Sequence, residues 1–372
     1  MKIERPAAAA GSSKVSRLLL GALTVAGLTS GGSALAADAL RDGRIGYVMT
    51  ERRWAVYESS PEGKIECPHG FNSGPREQFE ELFPKNSGKT YTEMESRLMR
   101  EGRAFHLENQ KDPFPFYEAQ GPKSYGLNLD GKVGPNDYQG PEGEKGVDNQ
   151  LYRAIGCIAA YRMGGVVSFF DTVDMYRNGY NRWLIELTGV DDMTNDDDVT
   201  VTTYRGLNDL YRDGTGQAFA PGSTQDVDIR WGKSFISKLK GKIVNGVLTT
   251  EPVDLLKWPN SQPGVFSGYY IMRGSRFQLT VNQDTAKGVL GGYVDVESYI
   301  HQLNTNWATH HQSYGQLSAG SLNRALLRLA DGYPDPKTGA NTAISSAIEL
   351  QFVQTYLMHP QEKKTVVARK SP

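Results

Sequence analysis

Apolar and polar positions alternate in short runs over the C-terminal half of the chain. The runs are "RWLIELTGV", "DVTVTTYRG", "QDVDIRW", "KIVNGVLTT", "GYYIMRGSRFQLTV" and "ELQFVQTYL", each rich in β-branched or aromatic residues. A period near two predicts half-buried strands, and the Gly, Asn and Asp residues between the runs predict turns. "VNG" at Val244 to Gly246 reads as a hairpin turn. "GVLGGYVDV" is glycine-rich and reads as strand rather than as a phosphate cradle. Near the N-terminus, "RIGYVMT" and "RRWAVYES" carry the same strand signal.

A helical period interrupts the alternation in a few places. "PREQFEELF" is opened by Pro75, and a further helix starts at Thr92 with Glu95 completing a capping box. In "GVDNQLYRAIGCIAAYR", Leu151, Ile155, Ile158 and Arg162 share one face and Asp148 stands where a cap is needed. "VESYIHQLNTNW" and "SLNRALLRLADG" supply two more; the second sets Leu322, Leu326 and Leu329 on one face, with Gly332 as its stop. No alternating βαβ rhythm is present. The expected fold class is α+β: an antiparallel β-sandwich-like region with several packed helices, forming a single compact unit. The expected divisions are a leader at 1–36, a strand and helix segment at 37–121, a loop plus buried helix at 122–165, a β-rich region at 166–359 and a basic tail at 360–372.

Residues 1–36 stand apart. Lys2, Arg5, Lys14 and Arg17 oppose one acid, Glu4, ahead of the apolar run "LLLGALTVAGL" and the small-residue exit "SALA". That order predicts a secretory signal peptide, and the run is too short for a stable anchor. Its removal leaves a mildly acidic chain of well-mixed charge, since the whole sequence has 41 basic and 42 acidic residues. No concentrated basic surface for nucleic acid is expected, and no later run is long enough to span a bilayer. The expected location is the periplasm or the extracellular space.

Export changes how the two cysteines read. Cys67 and Cys157 are expected to pair in an oxidising compartment, a reading preferred to a reactive or metal-binding thiol.

Export also raises the interest of "LNLDGKVGPND", Leu127 to Asp137. Placing Asp130 at the fifth position of a calcium loop puts Asn128 third, Gly131 sixth, the Lys132 carbonyl seventh, Val133 eighth and Asp137 twelfth. Over about a dozen residues the stretch resembles the calcium loops of the dockerin and EF-hand type. It departs from them at Gly126, which stands where the first carboxylate belongs, and in having Asp rather than Glu at the end. Glu142, Glu144 and Asp148 are candidates for the missing charge. The expected metal set is Asn128, Asp130, Lys132, Asp137 and Asp148 around calcium; the competing reading is a plain turn built on "NLDG". A second acidic run, Asp191 to Asp198, reads as an exposed connection between strands or as a further cation site.

Candidate chemistry gathers between residues 295 and 314. Glu297 and His301 stand at i and i+4 on one helix face, an arrangement suited to a carboxylate that orients an imidazole. His310 and His311 follow beside Trp307, Ser313 and Tyr314. Adjacent histidines point apart, so they make a poor joint metal site. The competing reading is a capped helix end with buried aromatics. Tyrosines in "SGYYIMRG", "NGYNRW" and "FPFYEAQ" could form a face that stacks on sugars or other flat ligands, or could lie in the core. The leading expectation is an exported, non-enzymatic binding or structural protein, calcium-stabilised if the loop is filled, with an unknown ligand or envelope partner. The alternative is an extracytoplasmic hydrolase or lyase using Glu297, His301, His310 or His311.

Overall fold

Strand β1 (Arg44–Trp54) shows how the sequence pattern becomes architecture. Ile45, Tyr47 and Met49 face the main core, while Val48 faces the opposite side. Between Met49 and Glu51 the register slips by one residue, leaving Thr50 as a bulge. The slip puts Arg52 and Trp54, rather than Glu51 and Arg53, on the inward side. Arg52 is 1% exposed and donates to the Pro259 carbonyl (2.7 Å) and to Asn260 Oδ1 (3.0 Å). Its remaining charge faces Asp171 at 3.4 Å.

The computed structural model describes residues 39–72, 88, 99–100, 103–104, 116–169, 171, 182–260, 268–302 and 319–360. The expected leader, the helix opened by Pro75, most of the helix from Thr92, His310, His311 and nearly all of the basic tail lie outside them. The further strands of the main sheet are β2 (Trp183–Thr188), β3 (Asn195–Arg205), β4 (Ser223–Asp226), β5 (Lys238–Val244) and β6 (Val247–Thr250). They continue with β7 (Leu256–Pro259), β8 (Tyr269–Val281), β9 (Thr285–Asp295), β10 (Gly332–Pro334) and β11 (Asn341–Met358). The helices that matter here are α1 (Gln150–Ile155), α2 (Val296–Gln302) and α3 (Ala319–Leu329).

The expected sandwich is not what forms. Strands β1, β2, β3, β5, β6, β8, β9 and β11 pair antiparallel in that order, and β11 then pairs with β1. The result is a closed eight-stranded β-barrel with a few short helices. Alternation specifies an inner and an outer face but does not say whether the outermost strands meet. Closure comes from eight rungs running from Gly46↔Thr355 to Trp54↔Ile348, between segments about 300 positions apart. Eight strands enclose an interior just wide enough for side chains to fill. Trp183, Ile185, Val201, Leu239, Phe277, Leu279 and Leu350 fill it here. Truncating Phe277 to Ala would cost roughly 3–5 kcal/mol, transfer and cavity terms together. Trp54, Trp258, Tyr270 and Tyr299 add a cluster of rings 4.7 to 5.6 Å apart. Outward positions carry Lys238, Lys240, Lys242 and Lys287. Apolar inside and charged outside is the reverse of a lipid-facing barrel. Among the described residues no helix is long and apolar enough to cross a membrane.

Helix α1 is shorter than expected. It ends at Gly156, and its cap is Asn149, whose side chain accepts from Tyr152 N at 3.2 Å, rather than Asp148. Cys157, just beyond it, is joined to Cys67 by a disulfide whose Cα atoms are 5.6 Å apart. Closing a span of 90 positions contributes about 4 kcal/mol on the chain-entropy account. Beside the bridge, Glu66 is fully buried, accepts from Ser59 N at 2.9 Å and pairs with Arg162 at 3.5 Å. Arg162 also donates to the Gly156 carbonyl at 2.9 Å and lies over the Phe71 ring.

Candidate ligand-binding cleft

The calcium-like loop docks on the barrel, and its polar atoms are taken up by the loop itself. Asn128 accepts from Gly131 N (2.7 Å) and donates to the Lys132 carbonyl (2.7 Å). Asp130 accepts from Lys132 N at 2.8 Å, and Asp137 accepts from Gly134 N. Asp148 reaches across from the start of α1 and accepts from Leu129 N (2.6 Å) and Asp130 N (3.3 Å). One oxygen of each of these carboxylates is thus occupied by a loop amide. Among the described residues no group of three or more metal-ligating side chains converges. Burial chiefly, with Asp137 and Asp130 nearby, pushes the Asp148 carboxyl up to about 6, against the pull of its two amide donors. Gly291 of β9 admits the loop: a Cβ there would lie 3.0 Å from Leu127 Cδ1 and 3.1 Å from Leu129 Cδ2. Arg276 latches it by donating to the Leu129 carbonyl. In the second acidic run, Asp196 accepts from Asp191 N and Asp198 N where the exposed connection from β2 meets the start of β3.

A different group of residues converges where β8, β9, β10 and the start of β11 meet α2 and α3. Arg273, Asp295, Glu297, Ile300, Leu327 and Tyr333 line a cleft there of about 700 Å³, closed at one side by Pro334–Pro336, Asn341 and Thr342. Each wall has a local cause. Asp295 ends β9 and caps α2, accepting from Ser298 N at 2.9 Å through Oδ1. Its Oδ2 accepts from Arg273 Nη2 at 3.0 Å, which fixes the guanidinium plane. That plane lies 5.3 Å over the Tyr333 ring, whose other neighbour is the edge of Tyr293 at 5.5 Å.

Tyr333 is the unusual member. It is a bulky residue at φ 55°, a left-handed conformation that non-glycine residues seldom adopt. Rungs on both sides hold it there, Gly332↔Ala343 and Pro334↔Asn341, together with a 2.6 Å bond from Thr342 Oγ1 to its carbonyl. Gly274, itself at φ 57°, leaves room for the ring: a Cβ there would sit 2.8 Å from the Tyr333 hydroxyl oxygen. The residue remains 38% exposed. Burial chiefly, aided by Asp254 and opposed by Arg273, raises the phenol above its ordinary value, so it keeps its proton at neutral pH.

A larger groove, about 1310 Å³, runs along the outer wall beside Thr50, Ala160, Phe169, Phe219 and Val353. Two of its charged residues serve its walls. Glu51 accepts from Gln351 at 2.8 Å, and Arg212 donates to the Gly216 carbonyl at 2.8 Å while lying over Phe219. The smaller cleft holds the greater density of charged and aromatic groups for its size, and it holds the strained residue. Strain of that kind concentrates at functional sites.

Of the residues singled out in the sequence, Glu297 opens into the cleft, exposed, and among the described residues nothing holds its carboxylate. His301 is half-buried one turn along α2 and is not part of the cleft lining. Tyr269 and Tyr270 of "SGYYIMRG" do not form an open face. Tyr270 is buried in the ring cluster, and Tyr269 packs against Phe235 and Lys257. Arg273, Asp295 and Tyr333 were not legible as a site, since they lie on three strands joined only by pairing. The turn-rich "GYPDPKTGAN" marked a connection but not the ring at its edge. No family model matches this chain, and no curated protein or solved structure is significantly similar to it.

Proposed function

We propose that this is an exported, non-enzymatic binding protein, in which the barrel is a rigid scaffold and the Arg273–Tyr333 cleft takes the ligand. The export half of the reading rests on the leader pattern of residues 1–36. The binding half rests on one observation: a tyrosine ring held in a costly backbone conformation and left partly open to solvent. Residues in sparsely populated conformations persist only when their surroundings hold them, and here those surroundings form a concave wall. The volume of about 700 Å³ lies within the usual range for small-ligand sites. Native mass spectrometry of the protein from its own host tests the reading. A retained small molecule that is lost on Tyr333→Asn supports it; a molecule retained equally by the variant overturns it.

A hydrolase or lyase is the second reading, and the uncommitted Glu297 carboxylate favours it. Acid–base chemistry at such a centre ordinarily uses a second titratable group within reach of the same substrate. Asp295 is engaged by Arg273 and Ser298 N, and Asp335 by its own turn. These engagements favour binding over turnover. Release of product from the retained molecule, abolished by Glu297→Gln, would reverse that preference.

A further inference from the structure

We propose that the cleft binds a saccharide ring that carries no acidic group. This rests on the reading of the cleft as a ligand site and names what enters it.

The groups that build the cleft and the groups left for a ligand are different sets. Asp295 uses both oxygens, one on Arg273 and one on Ser298 N. Asp335 turns Oδ1 onto Lys337 N, Thr338 N and the Thr338 hydroxyl. Thr342 is bonded to the Tyr333 carbonyl, and Asn341 to the Ala330 carbonyl. What remains, among the described residues, is the exposed part of Tyr333 with its hydroxyl, the Arg273 N–H groups not turned to Asp295, and the Glu297 carboxylate. Ile300 and Leu327 add apolar surface beside them.

A pyranose has the matching anatomy. One of its faces is a sheet of C–H groups that lies well against an aromatic ring, and its rim is a belt of hydroxyls. A carboxylate accepts from neighbouring hydroxyls in pairs, and a guanidinium donates to them in pairs. The tyrosine hydroxyl both donates and accepts.

Charge narrows the class. The lining has three carboxylates, Asp295, Glu297 and Asp335, against the single guanidinium of Arg273. A sulfated, phosphorylated or uronic acid ring would enter against that excess. A flat aromatic ligand would cover Glu297 without giving it a donor, leaving a desolvated carboxylate unpaired. A cationic ligand would find the tyrosine already shared with Arg273. Hydroxyls satisfy Glu297 without these penalties. The ring and guanidinium are also positioned in advance by Tyr293, Asp295 and the flanking rungs, so binding need not order them.

The test is calorimetry with the full chain, Tyr333→Asn and Glu297→Gln, each checked for folding by circular dichroism. The panel comprises neutral gluco-, manno-, xylo- and N-acetylglucosamine oligosaccharides, with polygalacturonate and alginate oligosaccharides as acidic counterparts. Asn tolerates the left-handed conformation, so the first variant removes the ring and not the backbone. The expected result is binding of at least one neutral family, with its acidic counterparts at least about tenfold weaker. Loss of one charged hydrogen-bond partner should weaken binding about 10- to 100-fold in Glu297→Gln. Tyr333→Asn should lose binding altogether. Acidic oligosaccharides binding as well as neutral ones would overturn the proposal, as would a neutral ligand held unchanged by Tyr333→Asn. If no saccharide binds but host-purified protein retains another molecule that Tyr333→Asn loses, the ligand class is wrong and the cleft stands. If nothing binds and nothing is retained, both fall.

Discussion

Of the places where this molecule joins an arginine to a carboxylate beside an aromatic ring, two do opposite things. At the disulfide, Arg162 and Glu66 are buried beside Phe71, and backbone groups of Ser59, Ser60 and Gly156 bond to them. At the cleft, Arg273 and Asp295 hold each other beneath a tyrosine that solvent still reaches. Residue type does not separate them; cover does. A buried pair whose partners are all protein can only stabilise or destabilise. An open pair fixes its own geometry and leaves donors over.

Mutations should split the two places apart. The largest effect is expected from Glu66→Ala, which leaves the buried Arg162 with Glu58, at 3.8 Å, as its remaining carboxylate: a loss of roughly 3 kcal/mol in urea unfolding. Ligand affinity per folded molecule should be unchanged. Replacing both cysteines by serine should cost about 2–4 kcal/mol by the same measurement. Tyr333→Asn should alter stability by no more than about 1 kcal/mol, because lost ring packing is offset by relief of an unfavourable φ. It should nevertheless abolish binding. Equal stability losses at the two places would erase the distinction drawn here.

A smaller effect is expected from pH. Asp148 has a folded pKa pushed up to about 6, above its ordinary 3.8, with burial the leading cause. The folded state therefore holds this proton more tightly than the unfolded chain does. Stability should rise as pH falls from about 7 through 6 towards 4, and the gain should be lost as pH rises again. Asp148→Asn should flatten that slope in urea midpoints. Asp331, buried nearby and also raised, should keep a remnant of it. A midpoint that falls between pH 7 and pH 5 in the native chain, with no change in Asp148→Asn, would contradict this assignment.

The strands and the cysteine pair were the legible part of the sequence. Period-two runs such as "RWLIELTGV" became β2, and "VNG" became a two-residue turn with Asn245 and Gly246 both at positive φ. The disulfide followed from the count and from the oxidising compartment that the sequence led us to expect. Closure did not follow, because it depends on pairing between β1 and β11 that no local window contains. The two strand signals "RIGYVMT" and "RRWAVYES" merged into one strand because a bulge at Thr50 restores the alternation between them. Among the residues lining the cleft, Glu297 stood out in the sequence from its helix position. Arg273 and Tyr333 needed the register of β8, β9, β10 and β11 to bring them together.

The closing seam has a consequence for folding order. Strand β11 pairs along its length with β1 and β9, so the first strand of the barrel waits for the last. A chain emerging in order can form the hairpins β2–β3, β5–β6 and β8–β9 as local events. It cannot seal the barrel until about residue 355 is available. Such non-local closure is slow. If the chain is exported, that delay is useful, because a barrel that cannot close early is still threadable when it meets the translocation machinery.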